Sequence, residues 1–162
     1  MSNLLSGWGR NKVFKCNLTY PNNLEQLKKI RQNKLIARGL GRSYGDSSLQ
    51  DKCTVITSKL NKVLSFDKKK GIIETESGIS IKEILHLIIP NGWFLKVTPG
   101  SKFITIGGMV ASDVHGKNHH KYGSFRHQII ELKILNEKNK IIICNKKKNK
   151  NLFNYTIGGM GL

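Results

Sequence analysis

Cysteine, arginine, acidic residues and long apolar runs are all scarce in this 162-residue chain, and each shortage excludes something. The three cysteines, Cys16, Cys53 and Cys144, are odd in number, widely spaced and without a CxxC pair. They support neither a zinc site nor a disulfide framework, and a reducing, cytoplasmic compartment is the expectation. No stretch of about 18 apolar residues exists, so no transmembrane helix is expected. The opening segment, MSNLLSGWGRNKVFKC, has no basic flank leading into an apolar stretch and does not read as a secretory signal. Ten Asp and Glu face 28 Lys and Arg, for a formal net charge of +18. Arg10, Arg31, Arg38, Arg42 and Arg126 are the only arginines. Arginine forks are what read bases and phosphates bidentately, so their scarcity argues against a nucleic-acid partner. The lysines cluster at Lys68-Lys69-Lys70 and in KKKNKN, from Lys146 to Asn151, mixed with Asn, and read as solvated turns. Such a surface still suits an encounter with anionic lipid or phosphate substrates, and peripheral membrane contact is compatible with it.

What remains is enough for a core. The 38% hydrophobic content is too high and too well grouped for a disordered chain. A chain of this length reads as one domain that buries roughly 70% of its unfolded surface. Asn22 or Asn23 caps a helix with Leu24, Leu27 and Ile30 at helical spacing. Leu35-Ile36-Ala37 and Val55-Ile56-Thr57 read as short strands. Val63 to Phe66 and Ile72 to Glu76 pair as a hairpin about a turn at Lys68 to Gly71. Ser80 and Glu83 form a capping box for a helix carrying Ile81, Ile84, Leu85, Ile88 and Ile89, stopped by Pro90. A second hairpin joins Ile129 to Leu135 with Ile141 to Cys144, and a short helix starts near Asn151. Strands in hairpins, alternating elsewhere with helices, give an α+β class. No strand–GxGxxG–helix unit with a downstream acid is present, which excludes a Rossmann site. The terminal Ile157-Gly158-Gly159-Met160-Gly161-Leu162 reads as a connection, so the chain is expected to be the front part of a longer protein.

Two glycine-rich loops carry the chemistry. The first is Arg38-Gly39-Leu40-Gly41-Arg42-Ser43-Tyr44-Gly45-Asp46-Ser47-Ser48. Gly39, Gly41 and Gly45 can take positive φ and turn backbone N–H groups toward one anion, a diphosphate by preference, with Arg38, Arg42, Ser43, Ser47 and Ser48 as further donors. The alternative is a tight connection that needs glycine for geometry alone. The second begins at Thr98-Pro99-Gly100 and runs through Thr105-Ile106-Gly107-Gly108. There a planar ligand could lie against the backbone at a helix N-terminus; close helix–strand packing is the alternative. Asp113-Val114-His115-Gly116-Lys117-Asn118-His119-His120 follows. Its spacing fits no familiar metal motif, so no metal is expected. His115 and Lys117 instead read as hydrogen-bond donors to an alcohol or phosphate, with Asp113 or Asn118 holding the loop and His119 and His120 satisfied within it.

These residues carry a resemblance. IARGLGRSYGDSS, TPGSKFITIGGMVASDVHGKNHHKYGSF and YTIGGMGL, in that order and over essentially the whole chain, resemble the FAD-binding domain of the vanillyl-alcohol-oxidase/PCMH flavoprotein superfamily. Within it they are most similar to the polyprenylphosphoryl-ribose oxidase branch, and the opening Gly7-Trp8-Gly9-Arg10 is similar as well. The resemblance implies a PCMH-type domain of two α/β subdomains clasping one FAD. Residues from Ala37 to Ser47 would wrap the diphosphate. Gly100, Thr105, Ile106, Gly107, Gly108, Ser112, Asp113, Val114 and His115 would line the rest of the cofactor. His115 and Lys117 would face the substrate. The implied reaction is oxidation of a sugar ring alcohol by hydride transfer to flavin N5, with a separate NADH-dependent reductase acting on the ketosugar. Aldonolactone or alditol oxidation, or a flavin module without activity of its own, are the competing implications. Covalent members carry a histidine in a GHS-type motif, where this chain has Gly41-Arg42-Ser43; noncovalent FAD is therefore expected. The family's C-terminal substrate domain has no counterpart in these residues.

Overall fold

Apolar residues alternate at Phe14, Cys16 and Leu18, and that alternation makes the strand on which the first sheet is built. The computed structural model describes residues 2–31 and 34–161, so Leu162 of the terminal glycine run lies outside the described residues. The chain divides into two compact units. The first comprises Met1–Leu95 with Ser101–Gly108, and the second Lys96–Gly100 with Met109–Leu162.

In the first unit, β1 (Ser2–Ser6) and β2 (Val13–Thr19) form an antiparallel hairpin with Leu5 opposite Phe14. Helix α1 (Leu24–Lys28) follows, with the Asn23 side chain accepting the Gln26 N–H at 2.9 Å. Strands β3 (Ile36–Arg38) and β4 (Thr54–Ile56) pair in parallel, and β4 also pairs in parallel with β2. The sheet order is β1-β2-β4-β3. Cys16, Thr54 and Val55 are buried in it. The hairpin β5 (Val63–Asp67) and β6 (Ile72–Thr75) packs with α2 (Ile81–Ile88). Ile79, Ile84 and Ile88 form the centre of that core, with Phe66, Ile73, Leu85, Leu95 and Ile106 against it. Each fully buried isoleucine contributes roughly 1.5–3 kcal/mol. The capping box at Ser80 and Glu83 forms as expected, and Pro90 sits in a tight turn, Ile89–Asn91, that ends the helix.

Helix α3 (Ile106–Ala111) gives its first three residues to the first unit and the rest to the second. The second unit continues with α4 (His119–Tyr122), the antiparallel hairpin β7 (Glu131–Leu135) and β8 (Ile141–Asn145), and α5 (Lys150–Thr156). Asn136 makes the hairpin turn, its side-chain oxygen accepting the N–H groups of Lys138 and Lys140. Met109, Cys144 and Phe153 are buried in this unit.

The structure has the mixed α/β content expected. Two elements escaped the sequence. The β1–β2 hairpin was not anticipated, because β1 offers only Leu4 and Leu5 as apolar residues. Helix α4 forms in a segment expected as loop, over His119-His120-Lys121-Tyr122.

Candidate functional site

Parallel neighbours such as β3 and β4 usually need a helical crossover. Here the connection is instead the first glycine loop, residues 39–53. Its conformation is held from behind. The Arg38 guanidinium donates to the Ser6 carbonyl at 2.9 Å and to the Ser48 hydroxyl at 3.1 Å. Burial pulls the Arg38 pKa below its ordinary value. Arg42 donates to the Leu40 carbonyl at 3.0 Å and lies over the Trp8 ring at 4.4 Å. The Trp8 N–H bonds the Ser43 carbonyl, and a side chain at Gly7 would run into the Gly45 carbonyl. The Ser47 hydroxyl donates to the Tyr44 carbonyl. Of the side chains expected to offer donors to an anion, Arg38, Arg42 and Ser47 thus donate within the protein, while the Ser48 hydroxyl accepts from Arg38.

The backbone is not. Among the described residues, no N–H from Gly39 to Ser47 donates a hydrogen bond within the chain. Gly41 and Gly45 take positive φ, +68° and +61°, as expected for a nest. Gly39 does not, and the expectation of positive φ there is corrected. Its reason for lacking a side chain is the Thr105 side chain, which a Cβ at 39 would strike. The close approach of Gly39 and Thr105 brings the first loop against Thr105 of the second segment.

Thr105 is buried and bridges to Ser80. Its hydroxyl accepts the Gly108 N–H at 3.2 Å. The Ile106 N–H bonds the Ile79 carbonyl at 2.9 Å, and the Gly107 N–H the Ser77 carbonyl at 2.7 Å. The first three amides of α3 are therefore satisfied by protein, and none of them is left as a free donor at the helix N-terminus. Gly107 follows the packing reading, since a Cβ there would stand 3.0 Å from Ser77 Cβ and its carbonyl oxygen. Gly108 differs. Its Cβ would meet only the Thr105 hydroxyl, at 3.3 Å, and it is exposed.

In the second unit, Asp113 stands at φ +42° just past α3, after Ser112. Its carboxylate accepts the Arg126 N–H at 2.9 Å on one oxygen and the Arg126 Nε–H at 3.1 Å on the other. Burial alone would raise the Asp113 pKa. The Arg126 amide, the Ser124 hydroxyl and the Arg126 guanidinium outweigh it and hold the carboxyl below its ordinary value. Arg126 also donates to the Ile157 carbonyl at 2.8 Å. The Gly158 and Met160 N–H groups bond the Val110 and Ala111 carbonyls, at 3.0 and 2.8 Å. The terminal glycine segment thus closes the end of α3.

Beyond Asp113, the Val114 carbonyl accepts the Phe125 N–H, and His115 bridges to Ser124. Gly116 is buried against the Thr98 carbonyl, which leaves no room for a side chain. His115 and Lys117, on either side of it, are exposed, as are Ser112 and Gly100. His115 Nδ1 lies 3.5 Å and His119 Nδ1 3.3 Å from the Gly116 carbonyl, with the two rings edge to face. Asn118 donates to the Lys96 carbonyl at 3.0 Å, and its side-chain oxygen is buried with no partner among the described residues. No three His, Cys, Asp or Glu side chains among the described residues are placed to hold a metal ion. Sequence reasoning had passed over Arg126. Its signal was available: an arginine in a chain that otherwise uses lysine.

Residues 21–145 match the family described as FAD binding domain. The decaprenylphosphoryl-beta-D-ribose oxidase of Mycolicibacterium smegmatis is 35% identical over 130 residues, which is 79% of this chain and 28% of that protein. The D-lactate dehydrogenase of Anaerostipes hadrus is 27% identical over 109 residues, 64% of this chain and 23% of that protein. The L-gulonolactone oxidase of Mus musculus is 26% identical over 124 residues, 76% of this chain and 28% of that protein. The chain spans about a quarter of the length of these relatives.

Proposed function

Because the chain belongs to the FAD-binding domain family that residues 21–145 match, we propose that it holds FAD noncovalently and forms the cofactor-binding part of an oxidoreductase acting on a ring alcohol of a polyprenylphosphoryl ribose. The observation that carries the cofactor reading is the unsatisfied run of backbone N–H groups from Gly39 to Ser47. Such a run suits a diphosphate, whose oxygens accept several donors at once. Arg42 is held by Leu40 and Trp8 and offers no imidazole for covalent attachment. Acid precipitation of the flavin-loaded protein is expected to leave the yellow colour in the supernatant. Colour retained in the pellet would contradict noncovalent binding.

When bound, the flavin would supply the hydride acceptor. The residues of this chain would do the rest. The first loop would fix the cofactor through its diphosphate, which places the reacting groups before any chemistry occurs. A hydrogen on His115 Nδ1, turned toward the Gly116 carbonyl, leaves Nε2 able to take the hydroxyl proton of the carbinol. Lys117 would meet the phosphate of the substrate as a point charge. The Asp113–Arg126 pair would hold the loop that carries both.

The substrate class rests on the likeness to the ribose oxidase, and the likeness to L-gulonolactone oxidase supports a lactone or alditol as the second reading. An NADH-dependent reductase would then take up the ketosugar. Anaerobic bleaching of the flavin in the protein that carries these residues separates the two. Bleaching by a polyprenylphosphoryl ribose is expected; bleaching by a soluble lactone alone would establish the second reading.

A further inference from the structure

The turn between β5 and β6 and the segment after α2 meet at Trp93 in the first unit. Asp67 builds the turn, its side-chain oxygen accepting the N–H groups of Lys69 and Lys70, each at 3.0 Å. Lys68, Lys69 and Lys70 are exposed. The Trp93 indole N–H donates to the Lys68 carbonyl at 2.8 Å, and the Trp93 ring lies where a side chain at Gly71 would stand. The Trp93 N–H in turn bonds the Ile88 carbonyl at 3.0 Å. In the segment that carries Trp93, Ile89 is 52% and Phe94 62% exposed, and neither joins the core beneath α2. Three lysines stand against one carboxylate, Asp67, which lies 3.9 Å from Lys70.

We propose that this patch docks on the surface of an anionic lipid bilayer, with Phe94 and Ile89 entering the boundary between headgroups and acyl chains and Lys68, Lys69 and Lys70 at the lipid phosphates. The chemistry selects this occupant. The indole N–H is already satisfied by Lys68, so the ring can enter an apolar layer without an orphaned donor. Lysine stems reach headgroup phosphates while their neighbours insert. A nucleic acid would leave the two apolar side chains without a role, and the patch carries no arginine fork. The proposal stands on the patch and not on the reaction read above.

Co-sedimentation of the chain with phosphatidylcholine vesicles, with and without phosphatidylserine, tests it. Binding is expected only with phosphatidylserine. Phe94→Ser with Ile89→Ser keeps the +18 charge and is expected to weaken binding about tenfold. Lys68→Gln, Lys69→Gln and Lys70→Gln together are expected to weaken it by tenfold or more, since each lysine near such a surface is worth about fivefold. Lys146→Gln, Lys147→Gln and Lys148→Gln remove the same charge from a different turn and are expected to do far less. Equal losses from the two lysine triples, with the Phe94/Ile89 variant binding as before, would overturn the proposal. So would duplex DNA that displaces the vesicles and itself needs Lys68 to Lys70. All the altered side chains are exposed, and circular dichroism is expected to be unchanged. FAD uptake by the same variants is expected to be unchanged too; failure of the unaltered chain to take up FAD would count against the cofactor reading and leave this one standing.

Discussion

Gly108→Val is expected to fold and to bind FAD much more weakly, whereas Gly107→Val is expected to destabilise the fold itself. The two glycines are neighbours on α3, and sequence alone gives them the same part. The structure separates them. A Cβ at 107 would press on Ser77 at 3.0 Å, on both its Cβ and its backbone oxygen. Backbone cannot withdraw without breaking the Gly107–Ser77 bond that starts the helix. At 108 a Cβ touches only the Thr105 hydroxyl, and the position is exposed. Valine is no worse a helix former than glycine, so the helix should stand. The cost falls on whatever lies against that exposed backbone. Overpacking of about 1–3 kcal/mol would weaken FAD binding about ten- to hundredfold. Circular dichroism with FAD titration reads both effects. A folded Gly108→Val protein with unaltered affinity would remove Gly108 from the cofactor site.

Asp113→Ala is expected to destabilise the second unit by about 2–3 kcal/mol, because it strands both the Arg126 amide and its guanidinium. Arg126→Lys is expected to lose much of the same amount, since an ammonium cannot span Asp113 and the Ile157 carbonyl as the fork does. The pH dependence has a definite sign. The Asp113 pKa is depressed in the fold, so its contribution is complete above the ordinary carboxylate pKa and disappears as pH falls through the lower folded value. Glu83 is also depressed, its bonds from Ser80 and Asn61 and the Lys82 charge outweighing burial, and it acts in the same acid window. Denaturant midpoints of Asp113→Asn and the unaltered chain, measured from neutral to acid pH, isolate the Asp113 share. The difference between them is expected to shrink as pH falls below the ordinary carboxylate range. A constant difference would mean that the carboxylate charge contributes nothing.

The elements that were legible in the sequence were those whose signal is local. The capping box at Ser80, the apolar face from Ile81 to Ile88 and the two later hairpins needed only nearby residues. The β1–β2 hairpin was hidden because β1 is short and pairs through its backbone. The glycines were legible as sites but not as reasons. Whether Gly39 is empty for its own φ or for Thr105 depends on a residue 66 positions away in the chain. The arginines show the same limit. Arg38, Arg42 and Arg126 each donate to a backbone carbonyl, at Ser6, Leu40 and Ile157. In a chain that prefers lysine, they mark places where a loop needs a planar fork to hold it. Composition revealed their scarcity, and only the fold revealed their partners.

The account depends on the backbone of residues 39–47 as the seat of a diphosphate. Equilibrium titration of the purified chain with FAD and, separately, with riboflavin tests that most directly, because the two share a ring and differ in the diphosphate. The account predicts that FAD binds and that riboflavin binds far more weakly. Equal affinity for both, or no uptake of FAD, would contradict it.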